Sequence, residues 1–281
     1  MNSNGKQGMR IAILDLYDGV ANQGMRCIRE ILNQYSDEHN IDTSWDEFDV
    51  RKNKEIPDLS YDIFISSGGP GSPLESVGSD WEKIYFHWLH QVEQWNNNEA
   101  HVQKKFVFFI CHSFQLACRH YQVGNLCKRK STAFGVFPIH LLKDGKNELV
   151  FGGMKDPFYA VDSRDYQVIH PNHNKLQSLG ADILAIEKER PHINLPRAIM
   201  AVRFNDYMIG TQFHPEADAI GMSLHLQTDE KKQTVIENYG FEKWDSMIKH
   251  LNDPDKIMFT YSHILPNFLT LAIGSMQMAE I

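Results

Sequence analysis

The sequence is poor in cysteine, and its cysteines are not arranged in pairs. Four cysteines in 281 residues are too few for a disulfide scaffold, and none has the C-x-x-C spacing of a zinc ribbon. The fourteen histidines lack accompanying carboxylates at a convincing ligand spacing. We therefore predict reduced thiols, no metal site and no cofactor.

Positive charge is also scarce. The chain has 28 lysine and arginine residues against 36 aspartate and glutamate residues, a formal net charge of −8, which disfavours general binding to a nucleic-acid backbone. The most basic stretch, Cys127 to Lys130, carries only three charges and is predicted to be a solvated loop. We therefore predict no nucleic-acid partner.

Long apolar segments are missing as well. The longest candidate, Ile264 to Ile273, has about half of the roughly 20 residues that cross a bilayer, and it contains Pro266. Residues 1–10 are polar and lack the cationic start and apolar middle of a signal peptide. We expect a cytoplasmic protein without membrane contact.

Apolar strands alternate with amphipathic helices in the first half of the chain. Strands are predicted over 10–17, 45–50, 61–66 and 106–110, and helices over 22–35 and 80–95. The strand over 106–110 is apolar at every position, as expected for a parallel strand covered on both faces. This alternation predicts a doubly wound α/β sheet.

The second half of the chain changes character. Short β-like runs follow over 133–142, 158–161, 183–187, 198–204 and 207–213, and the pattern turns helical and polar after about residue 217. We therefore predict one domain over residues 9–216 and a helical C-terminal extension over residues 217–281, packed on that domain.

A cysteine stands where the most apolar strand is expected to turn into a helix, in the run Phe-Phe-Ile-Cys-His-Ser-Phe-Gln over 108–115. At such an elbow the side chain lies above the carboxyl end of the sheet, and the helix N-terminus favours a thiolate. Most cysteines are small buried hydrophobes, so Cys111 alone predicts a nucleophile only weakly.

A second run, His214-Pro215-Glu216, follows another predicted strand. Pro215 disfavours the α region at His214, and in an extended backbone residues i and i+2 point the same way, so Glu216 can flank the imidazole. A thiol needs a nearby base, and the base needs a carboxylate to orient it. We therefore predict that Cys111, His214 and Glu216 form one catalytic set.

A glycine-rich run, Ser67 to Pro73, follows the third predicted strand. Closely spaced glycines let backbone N–H groups approach a ligand, as an oxyanion hole requires. The run has neither the Gly-Lys-Ser/Thr ending of a P-loop nor the pattern of a dinucleotide-binding loop.

In their order and separations, these three motifs resemble the class I (triad) glutamine amidotransferases over about residues 9–216. The resemblance implies a flavodoxin-like three-layer α/β sandwich with a central, mostly parallel sheet and the site at the carboxyl ends of its strands. It implies Cys111 as the nucleophile, His214 as the general base and then the acid, and Glu216 as the carboxylate that holds His214.

The resemblance also assigns the remaining groups of the site. The backbone N–H groups of Gly69 and His112 would form the oxyanion hole, and Gly71 and Gln115 would bind the amino-acid end of the substrate. The implied activity is release of ammonia from glutamine through a glutamyl thioester, as in the amidotransferase subunit of GMP synthase. An extension of about 65 residues is too short for an ATP-binding synthetase domain. The implied enzyme would supply a separate synthetase chain, or act alone on glutamine or a related amide.

The elbow departs from the family pattern at two positions. The family has glycine two residues before and two after the cysteine, where this chain has Phe109 and Ser113. Phe109 puts bulk where close packing of strand and helix is expected, so we predict a slightly opened elbow. Such an elbow permits a third function, that of a non-catalytic binding module, although the intact Cys/His/Glu set argues against it.

The segment Ser163-Arg164-Asp165-Tyr166 supports an alternative substrate. Its Ser-Arg-x-x-x-Val form resembles the homoserine O-acyltransferases, which share the fold and the triad and in which such an arginine binds the amino acid's carboxylate. These four residues would then bind substrate while an acyl group passes from acyl-CoA to homoserine through a Cys111 thioester. The competing structural interpretation is an ion pair between Arg164 and a neighbour such as Asp165.

Overall fold

The computed structural model describes residues 9–227, 229–251, 253 and 256–279. The strands in this part of the chain are β1 Met9–Asp15, β2 Thr43–Asp49, β3 Ile63–Ser66, β4 Phe106–Ile110, β5 Asn125–Leu141, β6 Phe158–Ile169, β7 Asp182–Glu187, β8 Ile199–Asn205 and β9 Met208–Thr211. The helices are α1 Gly24–His39, α2 Asp80–Asn97, α3 His112–Tyr121, α4 Lys143–Asn147, α5 His173–Leu179, α6 Ala219–Gln227, α7 Asp229–Tyr239, α8 Phe241–Leu251 and α9 Ile257–Ala279, with a 3-10 turn at Leu149–Phe151.

The strands form one mixed sheet in the order β2-β1-β3-β4-β9-β8-β7-β5-β6. The first five strands of this order run parallel, and the remaining pairings are antiparallel. In a parallel sheet the strands end at the same edge. The loops that follow β1, β3, β4 and β9 therefore meet at one edge.

Helices cover both faces of the parallel part of the sheet. Because side chains alternate along a strand, Ile11 and Ile13 pack against α1 and α9, while Ala12 and Leu14 pack against α2 and α3. Three layers result. The predicted α/β class and the helical C-terminal segment are confirmed.

The last helix, α9, is long and apolar. By length and composition, Ile257–Met278 is sufficient to cross a membrane, but half of that window is buried inside the protein. The Phe268 ring packs edge-on against Phe108 with centroids 5.1 Å apart. The apolar segment is longer than the predicted Ile264 to Ile273 because Pro266 does not end the helix. The apolar side chains of α9 form part of the core beneath the sheet.

The basic stretch Cys127 to Lys130 is part of strand β5, so its assignment as a loop was wrong. Because side chains alternate across a strand, Lys128 and Lys130 are exposed while the Arg129 guanidinium turns inward. It donates to Gln167 Oε1 at 2.7 Å and lies 3.2 Å from Glu187 Oε1. The ion pair of Arg129 with Glu187, a buried residue distant in sequence, therefore keeps this charged segment in the sheet.

Helices α6, α7 and α8, here called the C-terminal cover, pack on β5 and β6 through a small apolar core of their own. Its buried members are Val136, Val161, Val235, Met247, Leu251 and Ile257. The cover therefore lies beside the sheet edge at which the parallel strands end, and the boundary between residues 216 and 217 stays a prediction.

Candidate active site

Cys111 lies at the sharp turn between β4 and α3. Its backbone has φ 48° and ψ −94°, a conformation that non-glycine residues rarely adopt and that is typical of functional turns. Its N–H donates to Thr211 O at 2.8 Å, and its carbonyl accepts the first helical hydrogen bond from Gln115 N at 3.0 Å. The neighbouring strand and the helix together fix the cysteine in this conformation.

Both unusual residues of the elbow are accommodated by specific contacts. The Ser113 hydroxyl donates to Ser66 O at 2.7 Å and accepts from Ile110 N at 2.8 Å, which joins β3, β4 and α3. Phe109 is buried opposite Gly210, where an added Cβ would lie 2.9 Å from Phe109 Cβ. The bulk of Phe109 is taken up by a glycine on the adjacent strand rather than by the predicted opening of the elbow.

The imidazole of His214 is held by Glu216. Nδ1 of His214 lies 2.8 Å from Oε1 of Glu216, whose side chain is only 1% exposed. The backbone N–H of His214 donates to Val161 O at 2.9 Å. Burial alone would lower the pKa of His214. The negative charges of Glu216 and of a Cys111 thiolate, with hydrogen bonds to both, raise this pKa well above its usual value. The arrangement favours an imidazolium beside the sulfur.

Gly68 lies where the imidazole approaches the cysteine. A Cβ added at Gly68 would be 2.8 Å from His214 Cε1 and 3.6 Å from Cys111 Cβ, so a side chain there would strike the ring. The sequence motif indicated roles for Gly69 and Gly71 but none for Gly68. The sequence signal for Gly68 is its position directly before another glycine, Gly69.

The glycine-rich loop packs closely on the end of β1. A Cβ at Gly69 would lie 2.3 Å from Leu16 O, and Gly71 has φ +90°, which favours glycine. Arg51 fixes this loop, because its Nη1 donates to Pro70 O at 2.6 Å and to Leu16 O at 3.1 Å. Gly69 and Gly71 both line the cavity beside Cys111.

His112, the first residue of α3, also lines this cavity. Its backbone N–H is one of the first N–H groups of the helix, which have no intrahelical acceptor. Burial lowers the pKa of its side chain to about 3, and the positive charges of Arg51 and Arg119 act in the same direction. The imidazole of His112 is therefore neutral near neutral pH.

Tyr17, two residues after the end of β1, is a site residue that the sequence motifs did not indicate. Its hydroxyl lies near Glu216: an added Cβ at Gly24 would be 2.3 Å from the Tyr17 oxygen and 3.2 Å from Glu216 Oε1. Burial raises the pKa of Tyr17 well above its usual value, and the charges of Glu216 and Cys111 add to the shift. Its position at the carboxyl end of a parallel strand was the sequence signal.

Two glutamines form a support beneath the cysteine. Nε2 of Gln115 donates to Gln212 Oε1 at 3.0 Å and to Tyr166 O at 3.2 Å, while Nε2 of Gln212 lies 3.7 Å from Cys111 Sγ. Both N–H groups of the Gln115 amide are therefore engaged by the protein. Gln212 was not singled out from the sequence, although it lies in the same run as His214.

The segment over 163–166 borders the cavity, but its arginine does not offer a free guanidinium. Ser163 O lies 3.7 Å from Cys111 Sγ. The Arg164 side chain is 1% exposed, and it is bonded to Asp162 Oδ1 at 2.9 Å and lies 3.5 Å from Glu187 Oε1. Arg164 was predicted to bind a substrate carboxylate or to pair with Asp165. Instead, two other carboxylates occupy it, since it shares the inward face of β6 with Asp162.

Asp165 stands on the opposite, exposed face of β6 and accepts a hydrogen bond from the Thr132 hydroxyl. Together with Ser163 and Tyr166 it lines the same cavity as Cys111. These three residues remain placed to meet a ligand.

The cavity has a volume of about 790 Å³ and reaches from the glycine-rich loop to the C-terminal cover. Cys111, His112 and His214 line it together with Met222 of α6 and Val235 of α7. Within the described residues, no group of three or more histidine, cysteine or carboxylate side chains is arranged to hold a metal ion.

Residues 12–228 match the family model described as glutamine amidotransferase class-I. The chain belongs to the class I glutamine amidotransferase family. Its members are generally enzymes with a cysteine nucleophile. No curated protein sequence matches the chain significantly.

Solved structures share the fold at low sequence identity. A glutamine amidotransferase from Thermotoga maritima superposes with a TM-score of 0.67 and 14% identity, covering 95% of this chain and 99% of that one. For a glutamine amidotransferase from Methylobacillus flagellatus the values are 0.56 and 13%, with 94% of each chain covered. The glutaminase domain of Trypanosoma brucei CTPS, solved with bound acivicin, gives 0.53 and 15% over 74% of this chain and 86% of that domain.

Proposed function

We propose that this class I glutamine amidotransferase hydrolyses the side-chain amide of glutamine, or of a related γ-glutamyl amide, through a thioester on Cys111. The observation that carries the proposal is the meeting of Cys111 and the bonded His214–Glu216 pair in one cavity. Strained backbone at the cysteine and a raised pKa at the histidine accompany this arrangement.

In the first half of the reaction, the Cys111 thiolate forms a bond to the amide carbon of the substrate. The N–H groups of Gly69 and His112 stabilise the resulting oxyanion. The imidazolium of His214 then gives its proton to the nitrogen as the carbon–nitrogen bond breaks. Ammonia leaves, and a glutamyl thioester and a neutral imidazole remain.

In the second half, His214 takes a proton from a water molecule, and the oxygen of that water attacks the thioester carbonyl. The carbon–sulfur bond breaks, which restores the thiolate and the imidazolium, and glutamate is released. Glu216 keeps its negative charge throughout and holds the ring in one orientation. Each turnover consumes one water molecule.

The amino-acid end of the substrate would lie between Gly71, Gln115 and the segment of β6 that borders the cavity. Because both N–H groups of Gln115 are engaged by the protein, its carbonyl oxygen is the atom left to accept from a substrate ammonium. The Asp165 carboxylate adds negative charge at this wall. With Arg164 occupied by carboxylates, the feature that suggested homoserine as acceptor is lost.

The relatives support the reaction class rather than a particular pathway. The family acts on amide substrates and often works with synthetase domains, and the similar T. brucei structure is that of a glutaminase domain. A likeness to the GMP synthase subunit and a separate synthetase chain that receives the ammonia are predictions, as is a cytoplasmic location.

Two parallel assays test the proposal on the purified full-length protein. Ammonia release from glutamine, or amine release from a γ-glutamyl amide, is measured for the wild type, Cys111→Ala and the control Cys127→Ala, in which a half-buried cysteine outside the site is removed. The second assay follows CoA release from acetyl- or succinyl-CoA with homoserine. We expect amide hydrolysis in the wild type and Cys127→Ala only. CoA release would instead support acyl transfer, and no turnover in either assay would support a binding module.

A further inference from the structure

Gln212, directly after β9, presents a side-chain amide to the sulfur of Cys111. Its Nε2 lies 3.7 Å from Cys111 Sγ, and the residue is fully buried. The backbone around it is fixed, because Gln212 N donates to Met200 O at 2.8 Å and the preceding carbonyl, Thr211 O, accepts from Cys111 N at 2.8 Å. The amide therefore has a fixed place beside the nucleophile, although the triad chemistry gives it no role.

The orientation of this amide is set by a main-chain carbonyl on β6. Tyr166 O can only accept a hydrogen bond, so the Gln115 side-chain atom that faces it at 3.2 Å is the nitrogen, Nε2. The same nitrogen donates to Gln212 at 3.0 Å, so the Gln212 atom that receives this bond is the oxygen, Oε1. The nitrogen of the Gln212 amide is then the atom turned to the sulfur.

An N–H group on the sulfur favours the thiolate over the thiol. A thiolate only accepts hydrogen bonds, and a bond to a charged acceptor is stronger than one between neutral groups. Ser163 O, 3.7 Å from Cys111 Sγ, accepts from the thiol and so favours the protonated form. The imidazole of His214 also bonds to the sulfur. Gln212 therefore offsets the carbonyl of Ser163 without adding a charge.

The electrostatic surroundings of the sulfur are mixed. Titratable side chains that line the cavity with Cys111 include Tyr17 after β1, Cys27 on α1, His112 on α3, Asp165 on β6, and His214 and Glu216 after β9. Burial keeps Tyr17, Cys27 and His112 uncharged near neutral pH, because it raises the pKa of the first two and lowers the pKa of the third. Arg164 and Asp218 also line the cavity, each in an ion pair. The carboxylates of Asp165 and Glu216 disfavour a thiolate, so its formation requires donors such as those of His214 and Gln212.

We propose that Gln212 is a catalytic residue whose amide stabilises negative charge on Cys111 Sγ through a hydrogen bond, and that Gln115 positions this amide. The inference deepens the proposed function and rests on it for its catalytic consequence. The sulfur is charged when it attacks the amide carbon and again when the carbon–sulfur bond of the thioester breaks, whereas the thioester sulfur is neutral. Gln212 therefore increases the fraction of reactive thiolate in the first half of the reaction and stabilises the leaving sulfur in the second.

Alkylation of Cys111 by iodoacetamide, followed across pH and located by peptide mapping, tests this hydrogen bond without a substrate. Gln212→Met replaces the amide by an apolar side chain of similar length. A hydrogen bond to a charged group corresponds to roughly a tenfold or larger effect on an equilibrium. We therefore expect the midpoint of the rate–pH profile to rise by about one pH unit. A merely structural effect on access to the sulfur would scale the rate at every pH and leave the midpoint unchanged.

The matched control is Gln167→Met. Gln167 Nε2 lies 3.8 Å from Cys127 Sγ, and Gln167 Oε1 accepts from Arg129 at 2.7 Å, so this amide makes the same kind of contact to a cysteine outside the site. Gln167 does not line the cavity. The variant should leave both the alkylation profile of Cys111 and the rate of amide hydrolysis unchanged.

A second variant, Gln115→Met, keeps Gln212 but removes the donor that orients its amide. The midpoint should rise here too, by less than in Gln212→Met, and this variant decides the question if Gln212→Met does not fold. Hydrolysis of glutamine measures the catalytic consequence: kcat/KM should fall about tenfold or more in Gln212→Met. An unchanged kcat/KM in that variant would overturn the catalytic role.

The outcomes separate this inference from the proposed function. A wild-type midpoint in whichever of Gln212→Met and Gln115→Met folds would overturn the inference, and the proposed function would stand if amide hydrolysis still depends on Cys111. A raised midpoint in a protein that hydrolyses neither glutamine nor a γ-glutamyl amide would support the hydrogen bond and overturn the proposed function.

Discussion

The side chains of His214 and Glu216 bond to each other although only one residue separates them: Nδ1 lies 2.8 Å from Oε1. The intervening Pro215 favours an extended backbone at His214, and the backbone N–H of His214 donates to Val161 O at 2.9 Å. Three consecutive residues thus supply both the base and the carboxylate that orients it.

Replacing Glu216 by Gln keeps the shape of the side chain and removes its charge. We expect the pKa of His214 to fall, because burial then opposes the imidazolium without the charge that offsets it. Activity should fall by about 10²- to 10⁴-fold, and the alkaline limb of its pH profile should move to lower pH. An NMR titration of the His214 ring measures the pKa, and an unchanged value would contradict the electrostatic account.

The same pKa shift links folding to pH. Because the pKa of His214 is higher in the folded protein than the roughly 6.5 of an unfolded chain, protonation of His214 stabilises the fold. This contribution is fully present below about pH 6.5 and is lost as the pH rises through the folded pKa. Urea unfolding should therefore show that, as the pH rises from about 6.5 through the folded pKa of His214, the free energy of unfolding of the wild type falls relative to that of His214→Gln. If the free energies of the two proteins changed equally with pH, the raised pKa of His214 would be contradicted.

Gly68→Ala should damage activity more than folding. The new methyl group would lie 2.8 Å from His214 Cε1 and displace the ring from the cysteine. A displacement of about 1 Å costs on the order of 10²-fold in rate, so we expect kcat/KM to fall by about that factor. Thermal unfolding should change little. Full activity in Gly68→Ala would show that the imidazole is not held where the structure places it.

Gly210→Ala should destabilise the protein. The added Cβ would lie 2.9 Å from Phe109 Cβ and 3.0 Å from Phe109 O, in the middle of the sheet. Overpacking of this kind costs about 1–3 kcal/mol in the free energy of unfolding. The matched control is Gly274→Ala in α9, where, apart from its chain neighbours and the nearby backbone of the helix itself, no described atom lies within 4 Å of the new Cβ and helix propensity favours alanine. Equal stability of the two variants, measured by urea unfolding, would refute the close packing of Phe109.

Arg51→Met should weaken catalysis by freeing the glycine-rich loop. Arg51 holds the carbonyl of Pro70, and because the C=O and N–H of a trans peptide point in opposite directions, it also fixes the N–H of Gly71. Loss of two hydrogen bonds of about 1 kcal/mol each predicts a decrease in kcat/KM of roughly tenfold or more. Arg29→Met removes an exposed ion pair with Glu47 and should have no effect on steady-state rates. Equal rates for both variants would exclude a role for Arg51.

The parts of the fold that the sequence predicts well are those with a strong local pattern. Strand β4 was predicted at its observed bounds because every residue in it is apolar. Strand β5 was predicted only from Ala133, although it begins at Asn125, because its first half carries lysine and arginine. Pairing with β6 and the buried Glu187 opposite Arg129 decide that segment, and neither is visible locally.

In the candidate site, too, local motifs predict the positions of some residues and miss those that depend on contacts between distant segments. The motifs placed Cys111 and His214 at the ends of strands, and the sheet order brings those ends together. Tyr17 and Gly68 were missed because their roles depend on neighbours from other strands. The orientation of Arg164 depends on Glu187, which lies 23 residues later on β7. Contacts between distant segments are what a local pattern omits.

The central claim is a thioester between Cys111 and the glutamyl group, and intact-protein mass spectrometry after rapid acid quench tests it most directly. With glutamine or a related γ-glutamyl amide, the wild type should gain the mass of one glutamyl group, located at Cys111 by peptide mapping. Cys111→Ala should show neither the adduct nor turnover. Substrate hydrolysis that persists in Cys111→Ala without any adduct would contradict the account.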